Sequence, residues 1–244
     1  MRKALVFIFL ILIFFLFIII YEDDEIDQRD DYREKRQSMV LNQLRSRDIV
    51  DPEVLQAMLT VPRHQFVDEH IRDSAYNDYP LSIGEGQTIS QPYIVALMTQ
   101  ILELKGGEKV LEVGTGSGYQ AAVLAEIVKE VYTVEIYDSL SKTSESLLSN
   151  LGYKNIHFKI GDGYYGWGEH APFDAIIVTC APDHIPPPLL QQIKEDGGRI
   201  VIPVGGIWMT QALMKIEKVG GQIKSKGITG VRFCLLYTSP SPRD

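Results

Sequence analysis

Every position from Ala4 to Tyr21 is apolar, and from Glu22 to Ser38 almost none is. At about 1.5 Å rise per residue the first run spans roughly 27 Å, close to the hydrocarbon thickness of a bilayer. It has no polar face, and no small-x-small cleavage signal precedes Glu22-Asp23-Asp24-Glu25. Residues 1–21 therefore predict a retained transmembrane anchor, and 22–38 a charged linker or frayed helix that cannot bury a core. Beyond it, Asp51-Pro52-Glu53 opens a helix with Val54, Leu55, Met58 and Leu59 on one face, closed by Pro62. A short helical stretch follows around Phe66 to Ile71. Tyr76 to Pro92, rich in Gly, Pro, Ser and Asn, reads as a loop. Tyr93 to Leu104 returns to helical spacing.

From Lys109 onward, short apolar runs alternate with helical segments. Lys109–Val113, Val131–Ile136, His157–Ile160, Phe173–Thr179 and Arg199–Val204 predict strands; Tyr119–Val128, Leu140–Leu151 and Leu189–Ile193 predict helices. Gln211–Val219 and Ile228–Phe233 add two more strands. Near-continuous apolar strands spaced by helices indicate an α/β fold, Rossmann-like, with a mostly parallel doubly wound sheet. Residues 39–233, about 195 of them, suit one domain. The remainder, 234–244, contains Pro240 and Pro242, lacks periodicity and reads as an atypical, non-native tail.

The formal charge of −8 argues against a nucleic-acid partner, which would need a basic face. Two cysteines give neither a disulfide framework nor a metal-ligand spacing, and the five histidines are scattered, so no metal is expected.

The candidate chemistry sits where the first predicted strand turns into a helix. Gly114-Thr115-Gly116-Ser117-Gly118 lets the backbone approach a ligand, with Gly114, Thr115, Gly116 and Gly118 as the cradle. A dinucleotide fingerprint wants its third glycine one place later; Gly-x-Gly-x-Gly suits a cofactor without a pyrophosphate, S-adenosyl-L-methionine. Glu135 ends the second strand, where a carboxylate can accept from both ribose hydroxyls. Asp162, beside Gly163, follows the third strand, within reach of an adenine amino group. Each acid alone could be a solubilising charge. Together they mark one ligand lying along the carboxyl edge of the sheet.

Six ordered segments resemble the protein-L-isoaspartate O-methyltransferase family: Val61–Val67, Gly86–Pro92, Leu111–Gln120, Gly161–Gly163, Phe173–Thr179 and Gly197–Gly205. The Thr88-Ile89-Ser90-Gln91-Pro92 segment is specific to that family. The resemblance implies methylation of the free carboxylate of L-isoaspartyl, and less well D-aspartyl, residues in damaged proteins. The ester then collapses to a succinimide that hydrolyses partly to aspartate. It also implies that Ser90 is the catalytic serine and that Thr88 and Ile89 form the wall beside the cofactor. Capping the helix that begins near Tyr93 is also physically sound for Ser90, and the two roles can coexist.

Two features depart from the family. Cys234-Leu235-Leu236-Tyr237-Thr238 stands where a Val-Pro-hydrophobic segment is normal, which predicts a partly open site. The anchor is the other. Arg2 and Lys3 before it predict a domain outside the membrane, whereas the cofactor is held in the cytoplasm. The expectation is a membrane-anchored protein with a cytoplasmic domain; a periplasmic or other extracytoplasmic one is the alternative. Competing functions are methylation of another carboxylate or small molecule, and a membrane-tethered module that binds cofactor without catalysis.

Overall fold

The computed structural model describes residues 32–206 and 210–236. Among them, one seven-stranded sheet has the spatial order β5 (Ile156–Ile160), β4 (Glu130–Glu135), β3 (Lys109–Val113), β6 (Ala175–Val178), β7 (Arg199–Val204), β8 (Gln211–Val219) and β9 (Gln222–Val231). Strands β5 to β7 are parallel, and β8 and β9 extend them as an antiparallel hairpin. The chain runs outward from β3 to β5, then returns to the other side of β3 to lay down β6 and β7. That reversal opens a crevice above the carboxyl ends of β3 and β6.

Side chains alternate across the sheet. Val110 and Ile177 face the layer of α2 (Pro52–Thr60), α3 (Pro92–Ile101) and α4 (Tyr119–Ala125). Leu111, Val113, Ile176 and Val178 face the opposite layer with Phe173, Leu189 and Ile193. Burial on both faces is what makes these strands continuously apolar, at roughly 1.5–3 kcal/mol for each fully buried Val, Leu or Ile.

The helices start where sequence chemistry starts them. The Asp51 carboxylate accepts from the N–H groups of Glu53 (2.9 Å) and Val54 (3.3 Å), with Pro52 at the first turn of α2. Pro92 opens α3; its N-cap is Gln91, and no side chain caps it, so the capping role for Ser90 is not used.

Four expectations shift. The segment read as a loop carries an antiparallel hairpin, β1 (Leu81–Gly84) and β2 (Gln87–Ile89), turned by Gly84, Glu85 and Gly86 at φ 91°, 50° and 66°. Strand β9 starts at Gln222 rather than Ile228, because Gly220-Gly221 makes a two-residue turn after Val219. The stretch around Phe66 is two 3₁₀ turns, Arg63–Phe66 and Glu69–Ser74. The fourth shift is at the linker, since the chain is already helical at Tyr32. This helix, α1 (32–45), becomes π-helical over Val40–Arg45. The Tyr32 ring stacks on His64 at 4.0 Å and Lys35 pairs with Asp73 at 3.1 Å, so residues 32–38 pack on the domain.

The tail's first residues also join the fold. Ala181 N–H donates to Cys234 O (2.8 Å) and Leu236 N–H to Ala181 O (2.9 Å). The expected anchor, 1–21, and residues 237–244 lie outside the described residues. Among the described residues, no helix is long and apolar enough to cross a membrane.

Candidate active site

The crevice is built by four chain segments that arrive at the carboxyl edge of the sheet. Leaving β3, the Gly114 N–H donates to Val134 O (2.9 Å) and the backbone swings to φ +99°. A Cβ there would lie 2.5 Å from Thr179 Oγ1, so this position is closed to any side chain. Gly118, at φ +84°, opens α4, and its missing Cβ makes room for Leu148 of α5 (Asp138–Asn150) rather than for a ligand.

Leaving β4, Glu135 is 5% exposed and ties two loops together. Its carboxylate accepts from Gly116 N–H (2.8 Å), Ile136 N–H (2.9 Å) and Tyr137 N–H (3.0 Å). Beneath it, Glu112 is fully buried. Thr133 Oγ1 lies 2.6 Å from Glu112 Oε2 and 2.6 Å from Thr115 Oγ1, so one hydroxyl links the carboxyl to the glycine-rich turn. Glu112 Oε1 has no partner. Burial pushes this carboxyl up to about 8, with Thr133 opposing and the nearby Glu135 adding to the rise. Glu112 is thus largely neutral at pH 7.

A cleft runs over this floor. It brings together Thr88, Ile89, Ser90, Gly114, Thr115, Gly116, Glu135 and Gly163. Gly118 and Asp162 are not in its lining. The Asp162 carboxylate instead accepts from Tyr164 N–H (2.9 Å), capping the turn that carries Gly163. Gly163 must lack a side chain, since a Cβ would sit 2.4 Å from Val113 Cγ1.

Sequence reasoning missed Thr179 and Cys180 at the end of β6, and Ile136 and Tyr137 after Glu135, all of which line the cleft. Thr179 Oγ1 lies 2.6 Å from Gly114 O, closing the loop from beside. Burial raises the Cys180 thiol, keeping it protonated. The available signal was positional: polar residues at the carboxyl end of a strand next to the reversal point. Leu235 and Leu236 also line the cleft, so the unusual tail covers part of the opening predicted for it.

A second cleft is lined by Ile94, Thr210 and residues 230–234. Gln87, Thr88, Ser90 and Thr179 line both. Ser90 therefore stands in the wall between a glycine-rich cradle and a groove formed by the end of β9. Among the described residues, no group of three or more His, Cys, Asp or Glu could hold a metal ion.

The family model described as protein-L-isoaspartate(D-aspartate) O-methyltransferase matches residues 34–239. Protein-L-isoaspartate O-methyltransferase 2 of Shewanella sediminis is 52% identical over 228 residues, covering 91% of this chain and 93% of its own. The Opitutus terrae protein-L-isoaspartate O-methyltransferase is 55% identical over 199 residues, 82% of this chain and 85% of its own. A Plasmodium falciparum crystal structure, assigned to the same enzyme and complexed with S-adenosyl-L-homocysteine, superposes with a TM-score of 0.73. It is 28% identical and covers 84% of this chain and 99% of its own. With the glycine cradle, the strand-end acids and the Ser90 partition all inside the matched region, the chain belongs to the protein-L-isoaspartate(D-aspartate) O-methyltransferase family.

Proposed function

We propose that the chain methylates the free carboxylate of L-isoaspartyl, and D-aspartyl, residues in damaged proteins, using S-adenosyl-L-methionine. The observation that carries this reading is the pair of clefts sharing Ser90, Thr88 and Thr179. The cofactor supplies a methyl group on a positively charged sulfur. The cradle suits it: Gly114, Gly116 and Gly163 line the cleft without side chains, and an acid at the end of β4 matches a ribose diol. Gly114, Thr115, Gly116, Glu135, Gly163, Thr88 and Ile89 hold it. Gly118 and Asp162 act from behind, by seating α4 on α5 and by fixing the Gly163 turn.

The acceptor needs no general base, because a carboxylate is already anionic at neutral pH. What remains is alignment and exclusion of water. Ser90 Oγ donates to the acceptor carboxylate from the shared wall, while Ile89, Leu235 and Leu236 supply apolar cover. The test is transfer of labelled methyl from S-adenosyl-L-methionine to an isoaspartyl peptide and to its aspartyl twin. Label on the isoaspartyl peptide alone is expected; equal labelling would overturn the reading.

The apolar run 4–21 supports a membrane tether, and dependence on a cytoplasmic cofactor supports a domain facing the cytoplasm. Protease added to intact cells should leave the domain whole; its digestion from outside would place it extracytoplasmically.

A further inference from the structure

Arg63 takes no part in the chemistry above, yet it is among the largest fully buried side chains, at 0% exposure. Burying a guanidinium is costly, and an apolar side chain of similar volume would fill the space more cheaply. The use made of it is specific. Arg63 Nε donates to Ala75 O at 2.7 Å, and Nη2 donates to Ser90 O at 2.7 Å. The guanidinium lies over the Tyr119 ring, 4.8 Å from its centroid. Tyr119 is the first residue of α4 and lines the cradle cleft. Nη1 makes no hydrogen bond of regular geometry, and the Tyr119 hydroxyl is the polar group the guanidinium faces. Burial lowers the group to about 10, with Tyr119 and Tyr76 opposing, so it stays charged at neutral pH.

One rigid, planar side chain thus joins the backbone of the serine loop to the start of the cofactor helix. A planar fork fixes the separation of what it holds, in a way a flexible ammonium cannot. We infer that Arg63 is a positioning residue: it sets Ser90 against the cradle, so that the hydroxyl meets the acceptor carboxylate in line with the methyl donor. The inference rests on the isoaspartyl-methylation reading.

The experiment uses the full chain with Arg63→Lys and Arg63→Met, each alone and combined with Ser90→Ala. The readouts are kcat and KM for an isoaspartyl peptide, calorimetric affinity for S-adenosyl-L-homocysteine, and amide exchange over residues 87–91. A misplaced Ser90 should lower kcat of Arg63→Lys about ten- to hundredfold, with homocysteine-adduct affinity changed less than about threefold. The double variant should turn over within about threefold of Ser90→Ala alone, because both changes act through one hydroxyl. Exchange over 87–91 should accelerate roughly tenfold. Unchanged kcat, multiplicative losses, or cofactor affinity falling in step with kcat would overturn the inference. If Arg63→Met does not fold, Arg63→Lys decides; failure of both to fold would also overturn it, by making Arg63 a general structural requirement. If the wild-type chain does not methylate the peptide, the underlying reading fails. The positioning role falls with it, and exchange over 87–91 then reports only whether Arg63 anchors that loop.

Discussion

The two sides of the Ser90 wall are built by opposite means. On the cradle side, parallel strands buried on both faces deliver backbone turns and acids to fixed points. Glu135 alone ties Gly116, Ile136 and Tyr137 together by accepting hydrogen bonds from their three backbone N–H groups. On the acceptor side the elements are a three-residue strand, a mostly exposed edge strand and the segment that follows it. A methyl donor has one shape, whereas damaged residues arrive in many sequence settings. The rigid half suits the constant ligand, and the open half suits the variable one.

The contrast can be broken from either side. The largest effect should come from the shared core: Ile176→Ala, at 0% exposure, should cost about 2–5 kcal/mol in denaturant unfolding and weaken both halves together. Gly114→Ala forces a Cβ to within 2.5 Å of Thr179 Oγ1 at φ +99°. Calorimetry should show S-adenosyl-L-homocysteine affinity falling about a hundredfold, with folding retained. Ser90→Ala should do the reverse, lowering kcat about a hundredfold while leaving that affinity within about threefold. Matching losses of affinity and turnover in both variants would erase the distinction.

Glu112 sharpens the cradle side through pH. Its folded carboxyl titrates at about 8 against a usual 4.5, so between these values the native state holds a proton that the unfolded state has released. Stability from this group is full below about pH 4.5 and declines toward pH 8, at up to about 1.4 kcal/mol per unit. Melting of wild type against Glu112→Gln from pH 5 to 9 should show the decline only in wild type. The smallest effect is at the hairpin tip, where Ser139 Oγ donates to Glu85 Oε1 at 2.7 Å. Ser139→Ala should cost no more than about 1 kcal/mol and leave kcat within about twofold.

The same contrast governs what could be read from the sequence. The strands Lys109–Val113 and Arg199–Val204 match observed elements because burial on both faces writes itself as an unbroken apolar run. Gly114 and Glu135 were legible as positions, because strand ends near a reversal point can be placed from the strand pattern, and both line the cleft. The β1–β2 hairpin was not, since Gly84, Glu85 and Gly86 hide two strands too short to show alternation. Asp162 and Gly118 were found as positions, but their direction, toward Tyr164 and Leu148, depends on tertiary packing. Arg63 stood in a matched segment, yet its bond to Ser90 joins residues 27 apart, and no local pattern records that.

The most direct measurement is a crystal structure of this chain with S-adenosyl-L-homocysteine and an isoaspartyl peptide. The homocysteine compound should lie along Gly114–Gly116 and Glu135, with the peptide's free carboxylate within hydrogen-bond distance of Ser90 Oγ and facing the sulfur. A carboxylate bound away from Ser90, or a nucleoside lodged outside the cradle, would contradict the shared-wall geometry.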